Sequence, residues 1–135
     1  MLTDPAFSRR LRDVVAHQVE VHIRDIELLK VGRHFRLDKG TKVVIGRHKE
    51  ENERILELAR EGDIIMKVAD YPGPIALIPG GAPKASMEVA ASLCVRYSDA
   101  PNDLSISVLL EEKSGGERTL ESQACPRESC GELII

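Results

Sequence analysis

Residues 43–63 read VVIGRHKEENERILELAREGD. They hold the end of a strand, a turn and the helix that follows. VVI is apolar and β-branched, the chemistry of a buried strand. Gly46 ends it, and Arg47 and His48 follow at once. From about residue 49 to 61 the charged and apolar positions take helical spacing, with Gly62 as a natural stop. On that helix Asn52, Ile55, Leu56 and Ala59 share one face. An amide turned inward needs partners, and the nearest are backbone groups of the preceding loop or neighbouring strand. Asn52 is therefore expected to lock the strand-to-helix turn. The helix start presents free N–H groups and a partial positive charge. Gly46 permits close approach, Arg47 is a two-pronged donor and His48 another, so the turn is a candidate phosphate seat. Glu50, Glu51 and Glu53 compete with an anion for that end.

Upstream, LTDP opens a helix. Thr3 or Asp4 can accept from the first N–H groups, and Pro5 sits where its missing N–H costs nothing. Phe7, Leu11, Val14 and Val15 make an apolar stripe, with Arg9 and Arg12 side by side away from it. Residues 19–30 read two ways, VEVHI alternating like a strand and IELLK spaced like a helix, and a second short helix is expected at about 24–30. VGRHFRL (31–37) and TKVVIG (41–46) read as strands joined by the hairpin connection Asp38-Lys39-Gly40. Alternation puts Val31, Arg33, Phe35 and Leu37 on one face and His34 and Arg36 on the other. Lys42 interrupts the second strand. The hairpin is expected to display Arg33, His34, Arg36 and Lys42 within a small area.

Downstream, DIIMKVAD (63–70) reads as a strand, Tyr71-Pro72-Gly73-Pro74 as a turn and IALIP as another strand. Gly80-Gly81-Ala82-Pro83 precedes a helix striped with Met87, Ala90, Ala91 and Cys94. Small residues let such a helix lie close on a sheet. In LSISVLL (104–110), Leu104, Ile106, Val108 and Leu110 alternate inward. Ser114-Gly115-Gly116 turns that strand into the partner ERTLESQ, and the tail ACPRESCGELII shows no period. The expectation is a single α+β domain with helices packed on a largely antiparallel sheet. It divides into a helical segment (1–30), a core (31–122) and a tail (123–135).

Composition narrows the function. With 135 residues, 42% hydrophobic and 30% charged, the chain suits one globular core. No Trp and only four Phe and Tyr residues leave few platforms for base stacking. No apolar run nears the ~20 residues that span a bilayer, and no membrane role is expected. The three cysteines, Cys94, Cys125 and Cys130, favour a reduced, cytoplasmic setting. Residues 1–60 hold 13 Lys+Arg against 10 Asp+Glu, a surplus of 3, and all four histidines. Residues 61–135 hold 6 against 12, a deficit of 6. A polyanion should therefore prefer the first half. The histidines follow no metal-ligand spacing. Cys125 and Cys130, spaced C-x4-C, lack the two further ligands that zinc needs. No nucleophile-base arrangement is visible, so the chain reads as no enzyme by itself.

These blocks bear a likeness. IGRHKEENERILELAREGDIIMKVADYPGPIALI resembles the core of the NFACT-R domain, the RNA-binding module of the NFACT proteins of ribosome-associated quality control. The matching positions are Gly46-Arg47, Asn52-Glu53, Asp63 and Pro72-Gly73, and PKASMEVAASLCVRYS looks like the family's Ala-rich helix ending in Tyr-Ser. LTDPAFSRRLRD and LLKVGRHFRL are similar to the C-terminal part of ThiI-like proteins, in which a PP-loop ATPase domain is fused to an NFACT-R-type domain and which are associated with tRNA 4-thiouridine formation. Lys67 and Pro74-Ile75 depart from the polar residues of the better-known branch.

The resemblance covers about residues 2–110 and implies an accessory domain, excised from a longer protein or standalone with excision favoured, that binds tRNA or another structured RNA. It would have no cofactor of its own, because ATP belongs to the ATPase half. Expected RNA contacts are Arg33, His34, Arg36, Lys42, Arg47, His48 and Lys67, with Gly46, Asn52, Asp63, Pro72 and Gly73 structural. One rival is an interaction module that docks the ATPase half, or a second copy, through IALI and the Ala-rich helix. Another is sulfur relay at Cys125 and Cys130.

Overall fold

The computed structural model describes residues 4–113 and 115–135. Thr3, offered above as a helix cap, and Ser114, offered as a turn residue, lie outside them. The elements are α1 (Pro5–His17), α2 (Ile23–Leu29), β1 (Arg33–Asp38), β2 (Thr41–Ile45), α3 (Lys49–Leu58), β3 (Ile64–Val68), β4 (Ala76–Ile78), α4 (Lys84–Arg96), β5 (Ile106–Glu112), β6 (Glu117–Ser122) and α5 (Arg127–Leu133). The strands form one sheet in the order β1-β2-β4-β3-β5-β6, every neighbour antiparallel. The architecture is the expected single α+β domain.

Alternation sends Phe35, Val43, Ile45, Met66, Ala76, Val108 and Leu110 to one face, where α4 lays Ala90, Ala91 and Cys94 against them. On the other face Val44, Ile65 and Leu77 meet Leu28 of α2 and Ile55 of α3. Phe7, Val14 and Leu29 fasten α1 outside α2. Asp4 caps α1 by accepting the Ala6 N–H at 2.9 Å.

Several expectations change. The tail, which shows no period, forms α5: Cys130 on it and Cys125 just before it pack into the core, and the Ile135 N–H bonds the His34 carbonyl at 2.9 Å, covering the β1 edge. IALI and the Ala-rich stripe are interior, so they offer no docking surface. Leu56, expected inward, is 44% exposed and lines an open cleft with Ile65, Lys67 and Leu109. Leu104 and Val15 are exposed too, Leu104 because β5 begins only at Ile106. The helix ends at Leu58, before Gly62.

Asp63 explains its place in the motif. Its carboxylate accepts the Arg24 guanidinium at 2.5 Å and the N–H groups of Arg60 (2.7 Å) and Gly80 (2.9 Å). One buried acid thus ties α2, the loop after α3 and the turn after β4.

A candidate nucleic-acid interface at one end of the sheet

The expected hairpin patch does not form. His34 is fully buried, and its Nε2 lies 3.0 Å from the Leu28 carbonyl and 2.9 Å from that of Val31. Two acceptors at one nitrogen require Nε2 to carry the hydrogen. That leaves the Nδ1 lone pair toward Lys42 Nζ, 3.4 Å away. Burial, then the Lys42 charge, push the imidazole well below its usual pKa, so it is neutral. Lys42 is 6% exposed, and burial lowers its pKa from 10.5 to about 8. Arg36 donates its guanidinium to both oxygens of Asp13 on α1. The reason is period-2 geometry: His34 and Arg36 share the face that α1 and α2 cover, and Arg33 emerges on the other. Lys67 is exposed but sits on the part of the α2–α3 face that those helices leave open, in a cleft with Leu56, Leu109 and Arg118.

The opening turn behaves differently. Asn52 Oδ1 accepts the Ile75 N–H at 3.1 Å, joining α3 to the start of β4 as the inward amide suggested. Gly46 is required by that contact rather than by a ligand: a Cβ there would lie 2.0 Å from Asn52 Oδ1. The seat at the α3 start is already taken. Glu51 accepts from the backbone N–H groups of Gly32 (2.9 Å) and Arg47 (3.0 Å). It also accepts from Arg47 Nε (2.9 Å) and Nη2 (2.7 Å). Arg47's hydrogen bonds, against the opposing effect of burial, hold the Glu51 carboxyl down to a pKa of about 2. The protein's own carboxylate fills the place proposed for phosphate, and it fixes the Arg47 side chain, which stays 43% exposed.

What remains is a cleft of about 220 Å³ beside that turn. Arg33, Arg47, His48 and Asn52 line it from the β1, β2 and α3 side. The Pro72-Gly73-Pro74 turn and Tyr97, which ends α4, close it. The Arg33 guanidinium carbon lies 4.6 Å from the Tyr97 ring centroid, a cation–π contact. Gly73 lets its turn press on α4, since a Cβ would stand 2.8 Å from Ser98 Cβ. The Asp99 N–H bonds the Pro72 carbonyl at 2.8 Å and brings one acid to the rim. Of the seven expected RNA contacts, the structure brings together Arg33, Arg47 and His48. Tyr97 was missed as a site residue, although it stands in the Tyr-Ser block that resembles the family. Glu51 was read only as a competitor, because its partner Gly32 is distant in sequence.

Among the described residues no cluster could hold a metal ion. The thiols suit no relay: Cys125 and Cys130 are buried, and burial followed by hydrogen bonding with Cys125 raises Cys130 to a pKa of about 11. A neutral thiol is not the nucleophilic thiolate.

Comparison agrees with the geometry. Residues 32–134 match the family described as NFACT protein RNA binding domain. The chain therefore belongs to that family of RNA-binding domains, whose role is binding rather than catalysis. Among solved structures it is similar to the C-terminal part of the fibronectin/fibrinogen-binding protein from Streptococcus suis, at 18% identity and a TM-score of 0.69. The match covers 93% of this chain and 59% of that one, so it shows the fold alone. No curated protein matches.

Proposed function

We propose that this domain holds tRNA, or a similarly structured RNA, for a ThiI-like PP-loop ATPase that thiolates it, and that the grip is the cleft between the Arg47 turn and Tyr97. The observation that carries the reading is convergence. Gly46-Arg47-His48, Asn52, Pro72-Gly73 and Tyr97, distant in sequence, meet around one opening with Arg33. The mechanism is positioning. Arg33, Arg47 and His48 take backbone phosphates, while adenylation and sulfur transfer belong to the ATPase domain. Phosphate contacts fix register and carry little sequence information. His34 and Arg36 contribute through stability alone, and Lys42 is buried away from the cleft. The ThiI-like context is supported by the likeness of LTDPAFSRRLRD and LLKVGRHFRL to that family's C-terminal part.

The test is a titration of labelled tRNA across salt, with Arg33→Glu/Arg47→Glu beside the native chain. Native binding should weaken by roughly 0.7–0.9 log units per log unit of salt for each phosphate neutralised. The double variant should lose most of that slope. A flat salt response, or full affinity in the variant, rejects the reading. The genomic context adds a second check: the ATPase assignment requires a PP-loop domain encoded in the same frame or its operon.

A further inference from the structure

Tyr97 is the wall of a second cleft, which the sequence did not foreshadow. It opens between the end of α4 and α5 and measures about 580 Å³. The first cleft, at about 220 Å³, is below the range of roughly 300–1,000 Å³ usual for small-molecule sites, while the second falls within it. A phosphate group fits the first; a nucleoside needs the second. Their linings differ to match. Ala100, Gly131 and Ile134 give the second cleft apolar ground for a ring. Arg96, Asn102 and Arg127 give it polar edges, and no carboxylate lines it among the described residues. Arg96 Nε donates to the Cys125 carbonyl at 2.6 Å, which fixes the guanidinium against α5 and leaves its two Nη groups uncommitted. Neither Arg96 nor Arg127 has an ion-pair partner among the described residues.

We infer that the two clefts form one composite site for an unpaired nucleotide: its phosphate lies against Arg33 and Arg47, and its base enters the α4–α5 cleft past Tyr97. This rests on the RNA-binding reading and narrows it from structured RNA in general to a single-stranded or flipped-out position within it. Unpaired bases are what proteins can stack and read edge-on, whereas a duplex offers mainly its backbone. Guanidinium planes and aromatic rings are suitable stacking partners. The Asn102 carboxamide carries a donor and an acceptor side by side, which a base edge can meet.

Gly131 supplies the test. It lies in α5 at an ordinary helical position, and a Cβ there meets nothing within 4 Å. Gly131→Leu therefore fills the cleft with a helix-favouring residue and leaves the core untouched. Anisotropy titrations compare an unpaired oligonucleotide with a blunt duplex of the same sequence, for the native chain, Gly131→Leu, Arg127→Glu and Arg47→Glu. The native chain should prefer the unpaired strand. Gly131→Leu and Arg127→Glu should lose about tenfold on it, near the lower end of what one stacked base contributes, while duplex binding stays within about twofold. Arg47→Glu should weaken both. Gly131→Leu binding the unpaired strand like the native chain, or a native preference for duplex, overturns the subsite while leaving the RNA reading standing. Failure of the native chain to bind either RNA overturns both.

Discussion

Two regions of this molecule are rich in cations, and they use them in opposite ways. Beneath α1 and α2, Arg24 meets Asp63, Arg36 meets Asp13, and Lys42 is buried beside a neutral imidazole. At the end of the sheet, Arg33, Arg96 and Arg127 line two clefts with no ion-pair partner among the described residues, and Arg47 is held in place by Glu51 yet stays partly exposed. The first region turns positive charge into internal bracing. The second leaves it facing outward. A count of Lys and Arg cannot separate them; what separates them is whether helices cover the place where the side chain emerges, as α1 and α2 cover Arg36 and Lys42.

The largest effect belongs to the braced region. Asp63→Ala takes from Arg24 its hydrogen-bonded acid, leaving only Asp25 at 3.8 Å, and leaves two backbone donors without an acceptor. Removing one member of a buried pair costs about 3–5 kcal/mol, which urea unfolding will register as a lower midpoint. RNA affinity of the remaining folded protein should not change. A loss of RNA binding out of proportion to the folded fraction would break the division between the two regions.

Glu51→Gln comes next, because it joins the two regions. It replaces charge-assisted bonds to Arg47 and Gly32 with weaker ones and should cost about 1.5–3 kcal/mol. The sign with pH follows from the depressed carboxyl. Its stabilisation is complete above the unfolded pKa of about 4.5 and is lost as pH falls toward the folded value of about 2. The native chain should therefore lose stability across that interval more steeply than Glu51→Gln.

Lys42→Met has a smaller effect of opposite sign. Because the folded-state pKa is lowered from 10.5 to about 8, the unfolded chain binds the extra proton between those values, and this residue's contribution to stability rises with pH there. Raised thiol pKa values pull the other way: burial takes Cys94 to about 12, so its contribution falls above pH 9. Subtracting the Lys42→Met profile from the native one cancels that opposing limb. At pH 7 the variant should gain about 1–2 kcal/mol, since a buried cation is replaced by an apolar side chain of similar length while His34 loses a neighbour.

The elements themselves were legible. Apolar periodicity announced most strands and three of the five helices, α2 read two ways and β6 was inferred from the turn before it, and Asn52 could be read as a lock because a polar group on an apolar helix face must bond something. Three things were not legible, each for a physical reason. Helix α5 is short and has no amphipathic period; it is held by two thiols in the core and by the β1 edge, contacts distant along the chain. Glu51's role depends on the Gly32 N–H, 19 residues away. The hairpin patch failed because alternation fixed which side chains shared a face but not which face the helices would cover.

The smallest stability effects make the sharpest contrast, in the pair Arg33→Ala and Arg36→Ala. The two residues are three apart on one strand and differ in face. Arg36→Ala removes the ion pair that clips α1 to the sheet and should lower stability by about 1–2 kcal/mol, since the pair is largely shielded. It should leave the salt dependence of RNA binding unchanged. Arg33→Ala loses only the contact over Tyr97, about 0.5–1 kcal/mol, yet should reduce the salt slope by about 0.7–0.9, the share of one phosphate. Stability and salt slope thus move in a crossed pattern that no uniform surface charge effect produces. If both variants shift the slope equally, the RNA reads net charge and the clefts are not its grip.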